Sequence, residues 1–190
     1  MKKLYLLLLL FALMLPAGII GGIAGANAGN TEAATETLIE ARAAVYFSPK
    51  GGAQDAIIRA INGAKTSILL QAYSFTNASI AQALVQAKQR GVLVEAVLDK
   101  SNRTAQYSSA TFLKNAGIHT SIDAKHAIAH NKVIIIDSDK VVTGSFNFSK
   151  AAEESNAENL LILHSKPLAA EYERNFRAHL EHSEDYEGKQ

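Results

Sequence analysis

Short apolar runs alternate with amphipathic stretches along most of this 190-residue chain. The apolar runs predict strands at residues 45–47, 67–75, 92–98, 118–122 and 160–163, together with one that opens near residue 130. Apolar positions that recur every three or four residues predict helices over residues 55–63, 77–90, 104–115 and 168–182. Because the strands are continuous apolar runs, helices should cover both faces of their sheet. The pattern is typical of an α/β domain.

The N-terminal segment follows a different pattern. Lys2 and Lys3 precede an apolar run over residues 4–15, and the small residues that follow end in the A-x-A tripeptide 26–28. This pattern predicts a secretory signal peptide over residues 1–28. The alternative is an uncleaved membrane anchor formed by residues 4–24, which are numerous enough to cross a bilayer. Both readings predict a protein that works outside the cytoplasm, either periplasmic or secreted, or held at the membrane.

Composition and short motifs define the domain organisation and exclude several classes of protein. A polar, alanine-rich linker is predicted over residues 29–42, and one domain over residues 43–190. The chain has no cysteine, which excludes a disulfide scaffold and thiolate metal sites. It carries 19 Lys+Arg against 18 Asp+Glu, a balance that argues against massive phosphate neutralisation but allows a local basic groove. Neither a G-x-G-x-x-G loop nor a P-loop is present, so nothing indicates a nucleotide cofactor.

The residues that can carry chemistry lie between positions 129 and 147. His130 and Lys132 open an apolar strand and are two residues apart, so their side chains should share a face. An imidazole beside a fixed ammonium is suited to an anion. Ser145 and Asn147 offer a hydroxyl and an amide to the same region. Asp137, at an odd separation from His130, should point to the opposite face, which favours a supporting or interface role.

The pattern His130-x-Lys132-x4-Asp137-x6-Gly144-Ser145-x-Asn147 resembles the HKD motif of the phospholipase D superfamily. From about residue 43 onward the chain resembles the small single-motif bacterial endonucleases of that superfamily. The resemblance implies an α/β sandwich with a central mixed sheet, and a metal-independent phosphodiesterase whose active site needs two motifs. The complete motif occurs once in this chain. A homodimer would therefore supply the second copy.

Family resemblance also implies roles for the catalytic set His130, Lys132, Asp137 and Glu158. His130 would attack phosphorus to form a phosphohistidine, and its counterpart in the partner subunit would protonate the leaving group. Lys132 and Asn147 would hold the non-bridging phosphate oxygens, and Ser145 would add a hydrogen bond. Glu158 would orient the imidazole. Neither a metal nor a cofactor is required, and no zinc-ligand spacing is evident in the sequence.

Basic residues outside the motif are candidate contacts to the substrate. Lys125 and His126 precede the motif and could line the mouth of the site, although a solvated loop is an equal alternative. Lys100 and Arg103 follow a predicted strand, at the sheet edge where ligands bind in α/β folds. The remaining histidines are expected to be structural or surface residues: His119, His164, His179 and His182.

Substrate class stays open at this stage, because the chemistry of a histidine nucleophile is indifferent to what flanks the phosphodiester. The first hypothesis is a nuclease for DNA or RNA with little sequence preference. The second is a phospholipase D or cardiolipin hydrolase, against which stands the lack of a long apolar insertion or a basic amphipathic helix. The third is a non-catalytic nucleic-acid-binding module, which would have no reason to retain the nucleophile.

Overall fold

The computed structural model describes residues 38–188, so the predicted signal peptide and most of the linker lie outside the described residues. The described part holds eight strands, five α-helices and one 3₁₀ turn over Lys100–Arg103. In chain order the elements are β1 (Arg42–Ser48), α1 (Ala53–Asn62), β2 (Ser67–Ala72), α2 (Ala78–Gln89), β3 (Leu93–Asp99), α3 (Ala110–Asn115), β4 (His119–Asp123), β5 (Lys132–Ile136), β6 (Lys140–Gly144), α4 (Lys150–Glu154), β7 (Glu158–His164), α5 (Lys166–Glu181) and β8 (Glu184–Asp185).

All eight strands form one mixed sheet in the order β1-β7-β6-β5-β2-β3-β4-β8. Strands β2, β3 and β4 are parallel, and their connections contain the helices that parallel pairing requires. Strand β5 pairs antiparallel with β2 on one side and with β6 on the other. The mixed sheet with helices on both faces confirms the predicted fold class.

Two apolar layers flank the sheet. Alternate residues of β5 show this division: Ile134 and Ile136 pack into the larger core beneath α1 and α2, whereas Val133 and Ile135 face α5. On the second side Phe176 of α5 is fully buried against the sheet. All five residues of β5 are buried, so the strand that follows His130 is held rigidly from both faces.

One predicted helix is wrong over much of its length. Residues 104–115 were expected to be helical, but α3 covers only Ala110–Asn115. Asn102 competes with helix formation, because its side-chain amide donates to the backbone oxygens of Tyr73 and Asp99, at 2.6 and 3.1 Å. Its side-chain oxygen accepts a hydrogen bond from Ser108 at 3.1 Å. These bonds stabilise a loop between β3 and α3.

Two short strands and one short α-helix have no counterpart in the predicted pattern, namely β6, β8 and α4. Strand β6 is joined to β5 by a tight turn in which Asp137 and Ser138 both have positive φ angles, of 54° and 49°. The Asp139 amide closes this turn by donating to the Ile136 oxygen at 3.1 Å. Within residues 38–188, no helix combines the length and the apolarity that crossing a membrane demands.

Candidate active site

The motif residues meet at one end of the sheet because of the strand directions. Strand β5 runs antiparallel to both β2 and β6, and β6 runs antiparallel to β7. The start of β5, the end of β6, the start of β7 and the end of β2 therefore share one end, which we call the His130 end. The motif residues found there are His130, Lys132, Ser145, Asn147 and Glu158.

His130 lies two residues before the start of β5 and has an exposed side chain. Its ring packs against Tyr73, with 4.6 Å between ring centroids and 58° between ring planes. Among residues 38–188, no hydrogen bond engages the ring nitrogens of His130. An imidazole that is positioned by packing and keeps both nitrogens unengaged can act as a nucleophile or as a proton carrier.

Lys132 is the first residue of β5 and is only 7% exposed. Its ammonium donates to the backbone oxygen of His130 at 2.9 Å and lies 5.2 Å from the centre of the Tyr73 ring. Burial lowers the pKa of Lys132 below its usual value, while the nearby charge of Glu158 acts in the opposite direction. The result is a fixed cation next to the imidazole, in a setting that strengthens its attraction for an anion.

A bulge at the end of β6 aims Ser145 at this site. The amides of Ser145 and Phe146 both donate to the backbone oxygen of Asn159, at 3.1 and 3.3 Å, as in a β-bulge. Gly144 makes the approach possible, since it has a φ of 146° and a Cβ added there would lie 2.3 Å from the Asn159 oxygen. The backbone at positions 144 and 145 therefore forms a bulge between the neighbouring strands β6 and β7.

Glu158 holds the Ser145 hydroxyl. The Ser145 Oγ donates to Glu158 Oε2 at 2.6 Å, and Asn156 donates to Oε1 at 3.1 Å. In the described part of the chain no hydrogen bond joins Glu158 to the His130 ring, so the orienting role stays a prediction.

Asn147 contributes a buried side-chain oxygen that has no partner among the described residues. Unpaired buried polar atoms are uncommon, and such an atom marks a place where a bound group can supply the partner.

Asp137 lies at the other end of β5. Its carboxylate accepts hydrogen bonds from the backbone amides of Lys65, Thr66 and Ser67 and from the Thr66 hydroxyl. Burial raises the pKa of Asp137, but these hydrogen bonds outweigh it and hold the pKa below its usual value. The Asp137 carboxylate therefore anchors the loop of residues 65–67, at the end of β5 opposite His130.

The other candidate substrate contacts are already engaged in part. Lys100 donates to the backbone oxygen of His126 at 3.2 Å, and Arg103 pairs with Glu184 at 2.6 Å. The ring of His126 is hydrogen-bonded to Asp123 at 2.8 Å, whereas the Lys125 side chain is exposed. Lys100, Arg103 and Lys125 follow the ends of strands β3 and β4, so they lie at the His130 end of the sheet.

Two residues at this end were missed by sequence reasoning. Tyr73 directly follows β2 and contacts both His130 and Lys132. Asp99 ends β3, and its Oδ2 accepts the backbone amide of Ala129 at 2.8 Å, which fixes the chain just before His130. The signal that could have found them is their position at the carboxyl ends of adjacent parallel strands, where functional groups collect in α/β sheets.

Comparison with known proteins agrees with this geometry. The family model "Cardiolipin synthase, PLD-like domain", where PLD is phospholipase D, matches residues 57–180. A "Phospholipase D" of Rickettsia felis is 43% identical over 139 residues, which cover 73% of this chain and 70% of that protein. A "Mitochondrial cardiolipin hydrolase" of Danio rerio is 31% identical over 114 residues, covering 60% of this chain and 50% of that protein.

Two solved structures resemble the whole described domain. Nuc, a phospholipase D family member from Salmonella typhimurium, superposes with a TM-score of 0.75 at 41% identity and covers 77% of this chain and 99% of its own. NucT from Helicobacter pylori gives a TM-score of 0.72 at 27% identity, with 77% and 100% covered. Together with the motif residues gathered around His130, these similarities show that the chain belongs to the phospholipase D superfamily and is a phosphodiesterase at that level of description.

Proposed function

We propose that this protein hydrolyses phosphodiester bonds of DNA or RNA without a catalytic metal, through a phosphohistidine formed on His130. The observation that carries the proposal is the exposed imidazole of His130, which has no hydrogen-bond partner among the described residues, beside the buried ammonium of Lys132. A phosphodiester is an anion that repels anionic nucleophiles, so a neutral imidazole is a suitable attacking group. Lys132 supplies the positive charge that a metal provides in other nucleases.

In the first step, a ring nitrogen of His130 bonds to phosphorus while the bond from phosphorus to the leaving oxygen breaks. The leaving alkoxide takes a proton from His130 of the partner subunit, which is held as imidazolium. In the second step, that imidazole removes a proton from water, and the resulting hydroxide displaces the histidine from phosphorus. Water is consumed, both histidines return to their starting states, and the two roles belong to one coupled pair.

The homodimer follows from this chemistry, since one chain carries one complete motif. An active site shared across a two-fold axis would contain His130, Lys132 and Asn147 from both subunits. Size-exclusion chromatography with light scattering should give twice the mass of one chain. A monomer that retains full specific activity would contradict the shared site.

Nucleic acid is the favoured substrate. Exposed basic side chains follow the ends of β3 and β4 at the His130 end, where a phosphate backbone could extend beyond the scissile bond; they are Lys100, Arg103 and Lys125. Phospholipid is the second candidate, because relatives carry the names phospholipase D and cardiolipin hydrolase, and because Ile128, two residues before His130, is 59% exposed. An exposed apolar side chain next to the nucleophile could contact acyl chains.

The deciding experiment offers both substrates to the full-length chain in a non-ionic detergent. Plasmid DNA, single-stranded RNA and vesicles of phosphatidylcholine with cardiolipin are incubated in parallel, with and without chelator. His130→Ala is the inactive reference, and His164→Ala, at the opposite end of β7, is the matched control. Nucleic-acid cleavage that persists in chelator and is absent only from His130→Ala supports the proposal. Release of headgroup or phosphatidic acid with intact nucleic acid would assign the protein to lipids instead.

Export is the other part of the proposal. The paired lysines, apolar run and A-x-A tripeptide of residues 1–28 support a cleaved signal peptide. Mass spectrometry of the protein recovered from the periplasm or medium should find Gly29 as the first residue. An intact N-terminus in the membrane fraction would show the anchor instead.

A further inference from the structure

A cluster of three histidines and one aspartate lies beside the loop that leads to His130. Asp123 ends β4 with a fully buried side chain, and His126 lies in the loop that follows. His179 belongs to the last turn of α5, and His182 comes directly after that helix. These four side chains come from two distant parts of the chain, and apart from His126, a candidate substrate contact, they do not belong to the site described above.

Three imidazoles converge on a single carboxylate oxygen. Asp123 Oδ2 lies 2.8 Å from His126 Nδ1, 2.7 Å from His179 Nδ1 and 3.3 Å from His182 Nε2. A carboxylate oxygen has two lone pairs, so three donors exceed what this atom can accept with good geometry. A cation among the four atoms would relieve this excess, because each ring nitrogen would then donate its lone pair to the cation.

The spacing of these atoms suits a tetrahedral metal. The four candidate ligand atoms all lie within 4.8 Å of one another. In a tetrahedral zinc site, with bonds of about 2.0–2.1 Å to nitrogen and oxygen, ligand atoms are about 3.3–3.4 Å apart. The separation of 3.3 Å between Asp123 Oδ2 and His182 Nε2 matches this value, whereas His126 Nδ1 and His179 Nδ1, at 2.8 and 2.7 Å, would have to move about 0.5 Å away from the carboxylate oxygen. Small ring rotations would complete the tetrahedron.

The surroundings of Asp123 also resemble those of a metal ligand. Its second oxygen, Oδ1, accepts the backbone amides of Lys125 and His126, at 3.1 and 3.3 Å. Hydrogen bonds of this kind orient a ligating carboxylate.

We propose that Asp123, His126, His179 and His182 bind one Zn²⁺ ion. Three imidazoles and one carboxylate form a set that zinc accepts, and four protein ligands leave no position for substrate. The metal is therefore structural. It fastens the loop after β4 to the end of α5, while Asp99 fastens the same loop at Ala129. Zinc would thus help to fix the chain that presents His130, without taking part in hydrolysis.

The test uses the untagged full-length chain, stripped of metal with EDTA and returned to buffer without chelator. Zn²⁺ is titrated in competition with a chromophoric chelator, and Co²⁺ is used separately to report tetrahedral coordination by its visible absorption. The variants are His182→Ala and, as a matched control outside the cluster, His119→Ala, whose ring binds Asp185 at 2.9 Å. Thermal unfolding is recorded with and without zinc.

We expect one equivalent of zinc per chain, tetrahedral cobalt absorption, and a higher melting temperature with metal. His182→Ala should weaken zinc binding by at least about 100-fold, whereas His119→Ala should stay within about twofold of the wild type. If His182→Ala does not fold, His126→Ala on the exposed loop gives the same comparison. Less than one equivalent bound by the wild type, or equal affinity in the wild type and both cluster variants, would overturn the proposal and leave a hydrogen-bonded cluster only.

Discussion

Asp137→Asn separates the two roles open to the acidic residue of the motif. If Asp137 is structural, as its hydrogen bonds to residues 65–67 indicate, the variant should lose stability and keep its rate. Asparagine is the appropriate replacement because Asp137 has a φ of 54°, a conformation that asparagine tolerates well and alanine does not. The change therefore removes the negative charge and little else.

The expected loss of folding stability in Asp137→Asn follows from the hydrogen bonds that lose an ionised acceptor. The carboxylate accepts three backbone amides at 2.7–3.1 Å and the Thr66 hydroxyl at 2.9 Å. Hydrogen bonds to charged groups contribute about 1.5–3 kcal/mol each, against about 0.5–1.5 kcal/mol for neutral ones. Partial solvent exposure and the retained amide oxygen reduce the difference, so we expect a loss of about 2 kcal/mol. For a domain of this size that lowers the melting temperature by about 4–8 °C.

The loss of stability in Asp137→Asn should depend on pH, and it should be smaller in acid than at neutral pH. The pKa of Asp137 is lower in the folded protein than in the unfolded chain, so the ionised carboxylate stabilises the fold above the unfolded value of about 3.9. The stability gap between wild type and variant should stay constant from about pH 7 to pH 5. Below about pH 4 it should narrow, as the wild-type carboxyl itself becomes protonated.

Urea unfolding at several pH values and kcat measured well below the melting temperature provide the assay. Asp139→Asn is the control, since the contacts of that neighbouring carboxylate within residues 38–188 are two longer ion pairs, to Lys140 at 4.0 Å and His164 at 3.8 Å. Its effect should be within about 0.5 kcal/mol. A rate that falls by about 100-fold in Asp137→Asn at unchanged stability would refute the structural assignment and give the carboxylate a part in the chemistry.

Three further substitutions test the His130 end. Lys132→Met should lower kcat by about 10²–10³-fold, because it removes the cation beside the nucleophile. The melting temperature should stay equal or rise, since burying an ammonium is costly. An unchanged kcat would contradict the role of Lys132. Gly144→Ala should destabilise the fold by about 1–3 kcal/mol and displace Ser145, because Gly144 has a φ of 146° and a Cβ at this position would meet a backbone oxygen. Both the melting temperature and kcat should therefore fall. Wild-type values of both would show that the two strands can separate to make room. Glu158→Gln should shift the alkaline limb of the pH–rate profile to lower pH, because its negative charge opposes the fall in the pKa of Lys132; a shift to higher pH would contradict this coupling.

Local patterns in the sequence were sufficient to predict the α/β class and most of the strands and helices. The reason is that strand and helix formation depend largely on the spacing of neighbouring apolar residues, and the buried run of β5 is an example. The helix prediction was wrong for residues 104–109 because Asn102 and Ser108 make side-chain hydrogen bonds that override the local helix preference. The motif spacing was likewise sufficient to predict the family, which the comparisons confirm.

The sequence by itself thus determined the class of fold, the family and the set of residues around His130. Only the tertiary structure decided how these residues are supported: Tyr73 packs on the imidazole, Asp99 holds the chain before it, and Asp137 binds a distant loop. The same holds for the four-residue cluster around Asp123. Each of these contacts joins residues far apart in the chain, and their proximity depends on strand order and helix packing, which no local spacing encodes.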